Sequence, residues 1–224
     1  MPTTNDLYNA IADNKLEEVK NLIENGEGLS YSHAYDYSSP LLQAAESGHL
    51  EIVQYLLDRK YCCVDDGNDQ TWYSPLIVAC ENGHAEISEL LLKHGANVAR
   101  QYEKETESDE TYATYQEQGY PLTLAVENGH TEIVRLLLCH RADTESIRWS
   151  YDGQWNSEET PLLLALRQNS FEIAELLLKH GADIDGECLV NGETCTPLSY
   201  AMSKKMKEWI DFLTKNGADI SKKS

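Results

Sequence analysis

The chain has 224 residues, a length near the upper end of a single compact domain, and 41% of them are hydrophobic, enough for a sizeable core. Thirty-eight acidic residues against 18 basic give a net charge of −20, which argues against binding to a nucleic-acid phosphate backbone or an anionic membrane, since both need a positive face. No stretch approaches the roughly 20 continuous apolar residues of a membrane span, and Met1-Pro-Thr-Thr-Asn-Asp6 lacks the charged-then-apolar pattern of a signal peptide, so the expected compartment is the cytoplasm.

Along the chain the predicted elements come in pairs of short helices. The first pair falls on Asn5-Asp-Leu-Tyr-Asn-Ala10 and on Leu16 to Gly26. A seven-residue block then recurs as Ser39-Pro-Leu-Leu-Gln-Ala-Ala45, Ser74-Pro-Leu-Ile-Val-Ala-Cys80, Tyr120-Pro-Leu-Thr-Leu-Ala-Val126, Thr160-Pro-Leu-Leu-Leu-Ala-Leu166 and Thr196-Pro-Leu-Ser-Tyr-Ala-Met202. At a constant offset follow Gly48-His-Leu-Glu-Ile-Val, Gly83-His-Ala-Glu-Ile-Ser and Gly129-His-Thr-Glu-Ile-Val, with looser copies from Asn169 and Lys205. Gly-Ala-Asn/Asp closes three units, at Gly95, Gly181 and Gly217. Ser or Thr before Pro predicts a capped helix start, because proline lacks an N–H that the first turn would leave unpaired. Leu and Ala then keep one face small and apolar. Gly ends the first helix, and the Glu-Ile-x-x-Leu-Leu spacing predicts an amphipathic second helix. One such pair cannot bury its own face, so copies must stack.

This grammar resembles the ankyrin repeat, over essentially the whole chain. The resemblance implies an all-α solenoid of six helix-turn-helix repeats in a single domain over residues 1–224, with extended β-hairpin finger loops. The repeats run near 5–38, 39–73, 74–119, 120–159, 160–195 and 196–224. One departure is plain. The family's His after Thr-Pro-Leu is replaced by Leu42, Ile77, Thr123, Leu163 and Ser199, so its hydrogen bonds must be replaced or lost.

The regular unit is about 33 residues. Starts separated by 34, 35, 46, 40 and 36 leave 26 extra residues, all in the segments the family uses as fingers. Insertions in loops are cheap, so drift is one reading. Composition favours another, because 13 of the 19 aromatic residues lie in 27–38, 61–73, 98–120 and 144–159. Tyr and Trp are enriched at interface hot spots, which makes Tyr35, Tyr37, Trp72, Tyr73, Tyr102, Tyr112, Tyr115, Trp149, Tyr151 and Trp155 candidate partner contacts. The competing reading is local packing that orders long fingers. The family's concave groove would be lined by the positions after the Ala-Ala of each first helix, which puts Glu46, Glu81 and Glu127 in one acidic row. Residues 204–224 instead carry six Lys and three acids.

Chemistry finds little support. Six of the seven histidines belong to the repeat pattern, leaving His33 and no metal cluster. No phosphate loop or nucleophile elbow occurs, and the six cysteines form no CxxC pair. Asn191-Gly192 predicts a two-residue hairpin that sets Cys188 opposite Cys195, where a disulfide is geometrically conceivable. The expectation is a non-enzymatic, cofactor-free binding module, monomeric when free, whose partner is a protein with a basic surface rather than nucleic acid or membrane. It would act as adaptor, scaffold or secreted effector. The alternative is a stoichiometric inhibitor of the antitoxin or immunity type, masking the basic active site of an enzyme such as a nuclease.

Overall fold

Ser39 Oγ accepts a hydrogen bond from the Leu42 N–H at 3.0 Å, and Thr196 Oγ1 one from Ser199 at 3.2 Å, so the Ser/Thr-Pro signals do start helices. The computed structural model describes residues 3–25, 39–67, 72–107 and 114–222. Within them lie twelve helices: α1 (Thr4–Ala12), α2 (Leu16–Asn25), α3 (Pro40–Glu46), α4 (Leu50–Asp58), α5 (Pro75–Asn82), α6 (Ala85–Lys93), α7 (Pro121–Glu127), α8 (Thr131–Cys139), α9 (Pro161–Arg167), α10 (Phe171–Lys179), α11 (Pro197–Ser203) and α12 (Lys207–Lys215). Helices this short are unstable alone. They stack instead, α1–α3–α5–α7–α9–α11 in one row and α2–α4–α6–α8–α10 in a second. The repeated Leu41, Leu76, Leu122, Leu162 and Leu198 are all buried between them. The alanines of the same turns, Ala44, Ala79, Ala125, Ala165 and Ala201, have no exposed surface, and their size lets neighbouring helices approach.

The Gly-His motif is a tie between units. His84 Nε2 donates to the Glu46 carbonyl and His130 Nε2 to the Glu81 carbonyl, both at 3.1 Å. Each ring lies against the preceding unit's glycine. A Cβ on Gly83, which has φ +78°, would sit 2.6 Å from the His130 ring. The tie ends where Ser170 and Met206 stand in place of the histidine. There Phe171 stacks on Trp209 at 4.2 Å, and Trp209 donates its indole N–H to Asn169 Oδ1 at 2.7 Å. His140 and His180 cap their own helices through the carbonyls of Leu136 and Leu176. The closing Asn/Asp positions form turns in which Asn97, Asp143 and Asp183 accept from the N–H two residues on.

The fingers contribute more than the expected all-α architecture contains. β1 (Tyr102–Glu107), β2 (Thr114–Gly119), β3 (Arg148–Tyr151), β4 (Asn156–Glu159), β5 (Cys188–Val190) and β6 (Glu193–Cys195) form three hairpins. These join edge to edge in chain order as one six-stranded antiparallel sheet. A hairpin alone leaves a row of unpaired N–H and C=O groups on each edge, and pairing with the next finger satisfies part of the row where two fingers meet. Cys188 does face Cys195 across the Asn191-Gly192 turn, and both are free thiols. The missing family histidine is answered in two ways. Leu42, Ile77 and Leu163 are buried apolar substitutes. Thr123 and Ser199 instead accept from the backbone N–H of Tyr120 and Thr196, at 2.9 and 2.8 Å.

Candidate functional site

Strand register sorts the finger side chains onto two faces, because directly opposed residues point the same way. One row runs Tyr102–Gly119 and Arg148–Glu159, continuing to Cys188–Cys195. It faces the first helices and is largely buried. The neighbouring row runs Glu103–Gln118–Trp149–Glu158–Leu189–Thr194 and faces away from them.

On the inner face Arg148 is the hub. Its side chain is 13% exposed and meets three carboxylates. Nη2 donates to Glu117 Oε2 at 3.0 Å and Nη1 to Glu159 Oε2 at 3.2 Å. Nε stands 2.9 Å from Glu127 Oε2 as an ion pair not aligned for a hydrogen bond. Glu159 has no exposed side-chain surface and also pairs with Arg167. Tyr102 donates its hydroxyl to Glu117 Oε1 at 2.5 Å. Burial opposes the Arg148 charge, but Glu127 and Glu117 outweigh it and raise its pKa. Burial likewise raises the Glu127 carboxyl, with Arg148 opposing. Three carboxylates against two guanidinium groups leave the cluster with one excess negative charge.

The three glutamates of the predicted row therefore have different surroundings. Glu127 belongs to the Arg148 cluster. Glu81 is 31% exposed, with Lys104 Nζ of β1 at 3.8 Å, and burial raises its pKa while Lys104 lowers it. Glu46 is exposed on the N-terminal side. Beside them Tyr73 buries its hydroxyl with no hydrogen-bond partner. Its pKa is pushed up by burial first and then by Glu81, Glu117 and Glu46.

The candidate aromatics divide as sharply. Tyr102 is fully buried, packed with Ile77 and Leu124 and edge-on to Tyr73 at 5.5 Å. Its ring crosses Gly119, where a Cβ would come within 3.0 Å of it. That residue is a finger anchor rather than an accessible contact. Trp72, Trp155 and Tyr115 are exposed, at 54%, 49% and 44%. Trp72 has φ +58°, uncommon for a bulky residue, and its carbonyl accepts from Arg100 Nε at 3.3 Å. Trp155 lies against Gly192 of the next hairpin, where a Cβ would come within 3.0 Å of its ring. Trp149 and Tyr151 are half-buried on the outer face. Tyr35, Tyr37 and Tyr112 lie outside the described residues, as does His33.

The sequence gives no direct sign that Arg148 gathers Glu117 and Glu159, or that Lys104 stands against Glu81. An indirect sign exists, since alternation in Arg148-Trp-Ser-Tyr151 against Asn156-Ser-Glu-Glu159 places Arg148 opposite Glu159 once the hairpin is drawn. Glu117 belongs to a different hairpin, so only the joined sheet brings it in. Burial raises the thiols of Cys62 and Cys80 to about 12 and that of Cys195 to about 11, which disfavours thiolate chemistry there. Among the described residues no group of three or more His, Cys, Asp or Glu could hold a metal ion, and no helix is long and apolar enough to cross a membrane.

A family model described as ankyrin repeats matches the chain over residues 7–102, 105–187 and 147–224. A comparison with curated proteins finds no match.

Proposed function

The chain belongs to the ankyrin-repeat family, whose helix-turn-helix solenoids are generally protein–protein interaction modules and typically not enzymes; from that premise we propose that it binds a basic protein partner along the groove and fingers. In this reading each helix pair is one repeat, six in all, and residues 1–224 form one domain. The carrying observation is Glu81, a half-buried carboxylate in the groove whose nearby cation, Lys104, stands at a long 3.8 Å. A partner Lys or Arg reaching Glu81 and Glu46 would supply closer neutralisation in a site already partly desolvated. Trp72 and Tyr115 supply exposed aromatic area in two of the finger segments. The chain then acts in the cytoplasm as a monomeric adaptor or scaffold, or as an effector, and engages neither nucleic acid nor membrane.

A second reading, a stoichiometric inhibitor of a basic enzyme, draws on the same negative excess in the inner cluster, which resembles an anionic substrate in charge. The test is capture of the partner from source cells, followed by titration of the purified pair. Affinity should fall at least tenfold between 0.05 and 0.5 M salt, where the Debye length shrinks to about 4 Å. Glu46→Lys/Glu81→Lys should abolish it. A salt-insensitive complex that tolerates both charge reversals would overturn the proposal. An adaptor leaves its partner's activity intact, whereas an inhibitor stops it at one-to-one stoichiometry.

A further inference from the structure

The outer face of the finger sheet is sorted by charge as well as by exposure. Its rows are Glu103–Gln118–Trp149–Glu158–Leu189–Thr194 and Glu105–Gln116–Tyr151–Asn156. Neither row holds a cation. The strand cations, Lys104 and Arg148, both have the inner parity and stand against Glu81 and the Glu117–Glu127–Glu159 cluster. Glu103, Glu105 and Glu158 are exposed, while Trp149 and Tyr151 each show part of their surface. Gln118 and Gln116 donate their amides to Glu103 Oε1 and Glu105 Oε1, both at 3.1 Å. Each carboxylate is thereby held in place with its second oxygen available. Beside Trp149 a cleft of about 650 Å³ opens, with Val98, Tyr120, Leu122 and Ile147 in its wall.

We propose that this outer face is a second docking surface, separate from the groove, for an arginine-rich segment of a protein partner. The inference rests on the reading that the chain binds a basic protein, and it specifies where and through which side chains. Strand spacing sets the match. Three strand gaps separate Glu103 from Glu158 along the row, about 14 Å at roughly 4.8 Å per gap. A segment extended across the strands at roughly 3.4 Å per residue spans the same distance in four residues. Arg-x-x-x-Arg therefore sets one guanidinium at each glutamate and its centre over Gln118 and Trp149. Arginine suits the surface better than lysine, because its planar group forks onto a carboxylate and stacks on Trp and Tyr faces. A second copy of this chain is a poor occupant, since two such faces repel and the chain as a whole carries a net charge of −20.

The experiment titrates the full chain with fluorescein-labelled nona-arginine and nona-lysine at low salt. Nona-arginine should bind at least threefold tighter, and the Trp149 indole N–H resonance, assigned with Trp149→Phe, should shift on binding. Glu103→Gln/Glu105→Gln/Glu158→Gln should weaken binding at least tenfold with unchanged circular dichroism. A control with the same charge change on the second helices, Glu51→Gln/Glu86→Gln/Glu175→Gln, should weaken it less than threefold. Equal losses for the two triples, or loss confined to Glu46→Gln/Glu81→Gln with Trp149 unmoved, would overturn the outer surface and leave the groove reading standing. If neither peptide binds the wild type, both fall.

Discussion

The two faces of the finger sheet are built from alternate residues of the same strands, yet they handle charge in opposite ways. On the inner face Arg148 and Lys104 are turned toward Glu81, Glu117, Glu127 and Glu159, and aromatic surface goes into packing through Tyr102. On the outer face Glu103, Glu105 and Glu158 have no cation in their rows, and Trp149 and Tyr151 stay partly open. An acidic, aromatic-rich loop thus becomes two surfaces once it folds as a strand pair. One face holds the fingers to the helices, and the other keeps carboxylates and part of two aromatic rings open to solvent.

The strongest way to break this contrast is Arg148→Ala. It leaves the fully buried Glu159 and its neighbours short of a counter-ion, and removing one partner of a buried pair costs about 3 kcal/mol. Urea unfolding should show the loss, together with weakened protection of β2 and β3 amides from hydrogen exchange. A loss under 1 kcal/mol would mean that the cluster does not hold the sheet to the groove.

Next in size is Gly119→Ala. Its Cβ would sit 2.7 Å from Thr123 Oγ1 and 3.0 Å from the Tyr102 ring, and overpacking of this kind costs about 2 kcal/mol. The change should also raise the exposure of Tyr102, readable by near-ultraviolet absorbance. Equal stability would show that the inner row has slack.

The smallest effect sharpens the contrast through pH. Burial holds the Glu81 carboxyl above its ordinary 4.5, with Lys104 opposing. A carboxyl with a raised folded pKa keeps its proton better when folded, so relative stability falls as pH climbs through the window above 4.5. Glu81→Gln removes that fall. The unfolding free energy from pH 4.5 to pH 7 should therefore decline less steeply than in the wild type, by urea melts at each pH. An unchanged slope would mean that Lys104 neutralises Glu81 fully.

Much of the spine was readable residue by residue. The Ser39 and Thr196 caps, the turns at Gly48 and Gly83, and the Cys188–Cys195 register each depend on a few neighbouring residues. The acidic row is one surface by repeat position and three environments in the fold. Glu46 and Glu127 occupy the same position in their repeats, but among the described residues a finger arginine reaches Glu127 and not Glu46. The aromatic list mixed anchors with accessible rings for the same reason, since Tyr102 and Tyr115 share a hairpin and differ completely in burial.

By itself the sequence determined the helix pairs, their caps, the stacking leucines and alanines, and the places where fingers lengthen. Those features follow from local backbone chemistry and from periodicity. The fusion of the fingers into one sheet, the charges that meet inside it and the aromatics that stay open emerge only when the chain is folded. Those outcomes depend on register between hairpins some forty residues apart, and a one-residue slip of any strand would exchange its two faces.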